Sequence, residues 1–250
     1  MWPFCSRPST RCWERCGDER TPGRSEGRSH RRPQAGGFQL NLEQQTYETL
    51  RHWVTVGRFL PGERLKLRDV AAELAVGLMP VRAALQRLAA EGALDYSPNR
   101  GVAVPRLSRA EFDDVLQVRL MLEGEAAERG ALRLSAADLA TLRAEGERMA
   151  DALRRLDAKA YLAINEDFHV RLYRAAGSPL LMSLIETVWL RIGPLSNQLF
   201  EDAAAPPVLN DAHDDLLAAL DARDSVAARR AIERDLFVAG QFLRRRCGES

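Results

Sequence analysis

The 250 residues carry 36 Lys or Arg against 35 Asp or Glu, a formal net charge of +1, with 46% hydrophobic residues and four cysteines. That length has room for two modest domains, each burying its own core. No apolar run approaches the ~18 residues of a membrane span, and Met1–Cys5 leads into polar residues without the apolar stretch of a secretory signal. Cys5, Cys12, Cys16 and Cys247 sit at the two ends of the chain, where none is placed to staple a core, so a reducing cytoplasm is expected. Cys12 and Cys16 lack the second ligand pair that a zinc finger needs.

Residues 1–37 are rich in Arg, Pro, Gly and Ser and hold eight Arg against four acids. They read as a disordered basic leader, either an arm with electrostatic affinity for a polyanion or an upstream extension from a misassigned start. Residues 38–106 hold nine cations against seven acids, and the remainder nineteen against twenty-four, so charge runs +4, +2 and −5 along the chain. A first helix is predicted from Asn41 or Leu42 to Val56, its inward face made by Tyr47, Leu50, Trp53 and Val54, with Gly57 stopping it.

Residues 63–104, ERLKLRDVAAELAVGLMPVRAALQRLAAEGALDYSPNRGVAV, then read as two short helices joined by a tight turn and followed by two short strands. Val70, Leu74, Val81, Ala84, Leu85 and Leu88 fall at helical spacing and form one small core, which turns Arg68, Arg82, Gln86 and Arg87 outward. Gly92 ends the second helix, and ALDY and GVAV flank a turn, Ser97 to Gly101, that carries the cation Arg100 beside Asn99. This is the layout of a winged helix-turn-helix, a holder of double-stranded DNA. The side chains set to meet DNA are Arg68, Leu78, Met79, Arg82, Gln86, Asn99, Arg100 and Gly101.

From Ser108 onward the pattern becomes long helices with short breaks, predicted at 108–131, 135–157, 158–176, 178–200, 207–222 and 224–245. Ser108 with Glu111, and Ser135 with Asp138, have capping-box spacing. Gly177-Ser178-Pro179 and Ala205-Pro206-Pro207 are breaks. Six such helices make an antiparallel bundle, so the fold class is mainly α, with domains at 38–106 and 107–246 after the leader.

Four of these helices carry a polar residue on or beside the stripe that should be apolar. Arg119 recurs with Phe112, Val115, Leu122 and Ala126; Asn165 and His169 flank Ile164, Phe168 and Leu172. His213 shares a face with Leu216, Leu217 and Leu220, and Asp235 lies between Ile232 and Ala239. An unpaired buried charge costs several kcal/mol, so these groups should meet one another or a ligand. Asn165, His169, His213 and Asp235 suit a mixed N/O site for a divalent, zinc-like ion. An open coordination position there would hold a small carboxylate, with Arg119 as its counter-charge. The alternative is a hydrogen-bonded polar cluster without metal.

GERLKLRDVAAELAV, PVRAALQRLAAEG and PNRGVAV resemble the DNA-binding domain of GntR-type bacterial transcription regulators. VRLMLEGEAAERGA and NEDFHVRLYRAAGSPLL resemble the all-helical effector domain of the FadR-like (FCD) branch. The resemblance runs from about residue 40 to 243. It implies a homodimer on two-fold operator DNA, probing the cell for a small acid and repressing a catabolic or transport operon. It also implies a metal site of an Asp or Asn four residues before a His, joined by two later histidines. Asn165, His169 and His213 match that pattern, while Asp235 stands where the family has His. The turn departs too: a Ser-Arg-Thr entry to the recognition helix is here Gly77-Leu78-Met79. That departure leaves open altered operator preference or a ligand-binding protein with weakened DNA affinity. A metal-dependent enzyme on the bundle is the reading from another class. Against it, no catalytic triad, phosphate loop or dinucleotide motif is present, and no general base stands ready.

Overall fold

The structure, a computed structural model, describes residues 41–97, 101–201 and 209–248, all within one compact unit, Leu40–Ser250. The predicted leader, the wing tip at 98–100 and the Ala205-Pro206-Pro207 break lie outside the described residues.

The first helix, α1 (Leu42–Thr55), is capped by Asn41, whose side chain accepts the Gln44 N–H at 2.8 Å, and it buries Tyr47, Leu50 and Val54. Gly57, at φ +70°, turns the chain away. A strand β1 (Arg64–Leu65) precedes α2 (Leu67–Leu74) and α3 (Leu78–Ala90); β2 (Asp95–Ser97) and β3 (Gly101–Ala103) follow. The sheet order is β1-β3-β2, antiparallel, with Leu65 opposite Val102 and Ser97 opposite Gly101. The sequence reading has two strands and the structure three, because a two-residue edge strand shows no alternation to read. Val70, Val81, Ala84, Leu85 and Leu88 are buried as expected, while Leu74 is only half-buried. They pack with Leu50, Val54, Leu94 and Val104, and Gly92 takes φ +73° at the end of α3.

The helical half comprises α4 (Arg109–Ala131), α5 (Ala136–Arg154), α6 (Ala158–Ala175), α7 (Pro179–Ser196), α8 (Asp211–Asp221) and α9 (Ser225–Arg244). Both capping boxes form, Ser108 with Glu111 and Ser135 with Asp138. The helix expected over 178–200 changes character near Pro194, which offers no N–H to the ladder, and tightens into a 3₁₀ turn over Asn197–Glu201. Cys247, at the tail of the sequence, is nonetheless a core residue and a free thiol. The chain turns back after α9 so that Gly248 N–H bonds the Leu107 carbonyl, and this folds Cys247 into the bundle core.

The two halves share α7. Its Leu190 completes the winged-helix core, while its Trp189 and Ile192 belong to the bundle core. Gly193 lies so close to α1 that a methyl there would overlap the Val54 and Thr55 carbonyls. Asn197 donates to the Gly57 carbonyl, and Arg51–Glu186 (3.2 Å) and His52–Glu166 (3.3 Å) tie the rim of the seam.

Candidate DNA-reading face and buried polar centre

The first site is a surface. Burial of Val81, Ala84, Leu85 and Leu88 fixes the rotation of α3 and leaves Leu78, Met79, Arg82, Ala83 and Gln86 exposed. Arg68 on α2 is exposed as well, and neither it nor Arg82 makes an ion pair among the described residues. Arg87, grouped with them in the sequence, has a structural task. Its guanidinium sits 3.6 Å above the Tyr47 ring and bonds Gln44 and Glu91. Gly77 caps α3 with no side chain of its own. Gly101, at φ +80°, opens β3 and is exposed; Asn99 and Arg100 lie outside the described residues.

The second site is buried. His169 on α6 and His213 on α8 are 3% and 1% exposed, with their Nε2 atoms 3.3 Å apart. Asp235 Oδ2 on α9 lies 3.5 Å from His169 Nε2, and one donor atom from each of the three falls within 4.8 Å of the others. Asn165, one turn before His169, lines the same cavity of about 100 Å³, together with Arg119, Tyr161 and Trp189. Thr55 and Val56, at the end of α1, form part of its wall, so the winged-helix half helps enclose it.

The hydrogen bonds around the histidines decide where their protons are. Tyr173 donates its hydroxyl to Glu123 (3.0 Å) and so accepts from His169 Nδ1 (2.8 Å). His213 Nδ1 faces the Leu209 carbonyl at 3.1 Å, which can only accept. Both rings therefore carry their proton on Nδ1 and turn a bare Nε2 lone pair toward the other and toward Asp235. Burial holds His169 neutral, pushing its pKa down to about 3 against the pull of Asp235, with His213 and Arg119 adding to the depression. Three electron-pair donors thus converge with no hydrogen between them, an arrangement that is repulsive until a cation joins it.

Arg119 points to this cavity but is already engaged. Its guanidinium grips Glu123 at 2.6 and 3.3 Å. Burial works against its charge, and the Glu123 carboxylate more than restores it, so it is held more firmly protonated than a free arginine. Glu123 (1% exposed) and Tyr173 are the members that sequence reasoning missed. The available signal was the i, i+4 spacing of Arg119 with Glu123 and of His169 with Tyr173. Trp189 adds a buried indole N–H with no partner among the described residues.

Residues 42–104 match the family described as "Bacterial regulatory proteins, gntR family", and residues 114–237 match the "FCD domain". The chain is similar to the HTH-type transcriptional regulator McbR of Escherichia coli K12, 31% identical over 196 residues, covering 77% of this chain and 88% of that protein. It is similar to the HTH-type transcriptional repressor RspR of the same organism, 26% identical, covering 78% and 86%. The solved structure titled "E. coli McbR/YncC" superposes with a TM-score of 0.77 at 29% identity, covering 83% of this chain and 99% of that one.

Proposed function

We propose, for a chain that belongs to the GntR family of bacterial regulatory proteins and carries an FCD domain, that residues 38–106 read operator DNA and residues 107–246 sense a small acid bound at a metal ion. DNA-binding transcription regulation is the function of this family and of the relatives named above, which argues against an enzyme built on the bundle. The finer reading is a homodimeric repressor of a small catabolic or transport operon, acting in the cytoplasm, where the DNA is. Two-fold symmetry follows from the need of such half-site readers to span a palindrome.

One observation carries the sensing half: two bare Nε2 atoms 3.3 Å apart and an Asp235 carboxylate oxygen 3.5 Å from one of them, with one donor atom of each residue within 4.8 Å of the others. Donors held by one small divalent ion at ~2.1 Å stand about 3.0–3.4 Å apart at right-angled to tetrahedral openings. The 3.3 Å between the imidazole nitrogens fits that span, and the 3.5 Å to Asp235 nearly does. His169, His213 and Asp235 would hold the ion, with Asn165 on the same wall. The ion would supply a Lewis-acid anchor for a carboxylate. The chain from Arg119 through Glu123 and Tyr173 sets the His169 tautomer, as outer-shell partners of metal ligands do. With Arg119 largely neutralised by Glu123, the ligand's charge would be met by the ion, and Arg119 would orient it by its remaining N–H groups. A cavity of about 100 Å³ favours a small ligand.

The test is a mobility shift on the duplex upstream of the gene, with the metal-loaded protein and a panel of two- to six-carbon carboxylic acids. Retardation relieved by one of them at micromolar to millimolar levels is expected. No retardation would remove the regulator reading for this chain, and retardation insensitive to every acid would remove the proposed ligand class.

A further inference from the structure

Resting on the DNA-reading proposal, we infer that α3 reads thymine by its methyl group, through Met79 and Ala83 with Leu78 at their flank. Residues 79, 82, 83 and 86 recur at helical spacing, and all four are exposed, while the opposite face is locked into the core by Val81, Leu85 and Leu88. The presented stripe is therefore fixed in rotation and has a definite composition: a thioether, a guanidinium, a methyl and an amide. Met79 is 67% exposed and Leu78 43%, with no element among the described residues covering either.

An apolar strip of this kind needs an occupant. A second copy or another protein that buried Met79 and Leu78 would also bury Arg82, whose charge has no partner among the described residues, and an unpaired buried guanidinium is costly. The DNA major groove meets both demands. Its phosphates and guanine edges accept from Arg68 and Arg82, its adenine edge matches the Gln86 amide, and its one apolar group is the C5 methyl of thymine. Residues at the N-terminal end of such a helix are those that reach base edges. Gly77 and Ala83 put almost no bulk in front of the helix, so the base edges can approach Met79 and the Ala83 methyl directly. Leu78 and Ala83 have no side-chain donor or acceptor and the Met79 thioether is only a weak acceptor, so selectivity at the positions they face comes chiefly from apolar contact.

The experiment uses the full chain and the duplex upstream of its gene. Footprinting locates the half-sites, and each thymine inside them is replaced in turn by deoxyuridine, which removes only the methyl. Affinity should fall about three- to fivefold at one or two positions per half-site, the size expected for one buried methyl-sized group. Met79→Ala should bind more weakly and lose discrimination at one of those positions. Ala83→Ser should lose it at another. Both residues are exposed, and an unchanged melting temperature will confirm that the variants fold. Wild-type affinities within twofold for thymine and uracil at every position would overturn the inference, as would a Met79→Ala variant that still discriminates at all of them. Loss of self-association in Met79→Ala without loss of DNA affinity would overturn it too, in favour of a second copy. If Arg82→Ala abolishes retardation while uracil has no effect, the DNA-reading proposal stands and the methyl contact alone fails. If the wild type retards no DNA, both fail together.

Discussion

The two halves of this chain treat charge in opposite ways. On the winged-helix half, Arg68 and Arg82 stand in solvent without ion pairs among the described residues, while Arg51, Arg58 and Arg87 are anchored at its edges by carboxylates or aromatic rings. On the helical half, Arg119, Glu123, Tyr173 and His169 are drawn inside and joined in a single relay. Exposed cations keep their hydration until a polyanion displaces counterions, so they add little to stability and much to association. Buried ions have given up their hydration and depend on one another, so removing one member is felt by the whole fold.

The largest effect is expected from removing a carboxylate from the buried relay. Glu123→Ala leaves the Arg119 guanidinium without its partner and the Tyr173 hydroxyl without its acceptor. A loss of about 3–5 kcal/mol in unfolding free energy is expected, measured by urea denaturation of the metal-free protein. A loss under 1 kcal/mol would show the relay to be solvated. Next in size is the ion itself. Purified protein should hold about one divalent ion per chain by elemental analysis, and His213→Ala should lose most of it. Chelation should lower the stability of the wild type by about 4 kcal/mol if the ion stands at a thousand times its dissociation constant. An equal melting temperature with and without chelator would return the cluster to plain hydrogen bonding.

On the exposed side the expected effect is smaller and falls on a different quantity. Arg82→Ala should weaken specific DNA binding by about 1–3 kcal/mol while changing unfolding stability by no more than about 0.5 kcal/mol. Mobility shift and thermal melting on the same sample read both. A destabilised variant with unchanged DNA affinity would make Arg82 a structural residue rather than a DNA contact.

How much of this was legible in the sequence follows the same division. Helical periodicity exposed the cores, because Val81, Leu85 and Leu88 repeat at the helix period. It exposed the buried centre as well, because Asn165, His169, His213 and Asp235 interrupt stripes that are otherwise apolar. Glu123 and Tyr173 stayed hidden for opposite reasons. A glutamate four residues after an arginine looks like a surface pair, and a tyrosine on an apolar face looks like core. That Thr55 and Val56 wall the cavity depends on α1 packing against α7, and no local pattern encodes a contact between residues so far apart in sequence. The leader and the wing tip, with Asn99 and Arg100, remain expectations outside the described residues.

The smallest expected effect lies on the seam where the halves meet, and it has a sign. His52 on α1 faces Glu166 on α6 at 3.3 Å. The hydrogen bond to Glu166 raises its pKa above 6.5, burial opposes this, and the charges of Glu166 and Asp167 add to the rise. A raised folded-state pKa contributes stability that is fully present below the unfolded value and is lost as pH rises through the folded one. His169 behaves oppositely. Its pKa is depressed to about 3, so its contribution is present above 6.5 and lost as pH falls toward 3. Between pH 6 and 8 the stability difference between wild type and His52→Gln should therefore shrink with rising pH. Below pH 6 the metal-free wild type should lose stability as buried His169 is asked to charge. Urea titrations of the metal-free proteins at half-unit steps measure both limbs. A difference between wild type and His52→Gln that stays constant from pH 6 to 8 would mean that His52 and Glu166 are not an ion pair, and that the seam is held without them, by the Gly193 contact, Leu190, the Asn197 hydrogen bond and Arg51–Glu186.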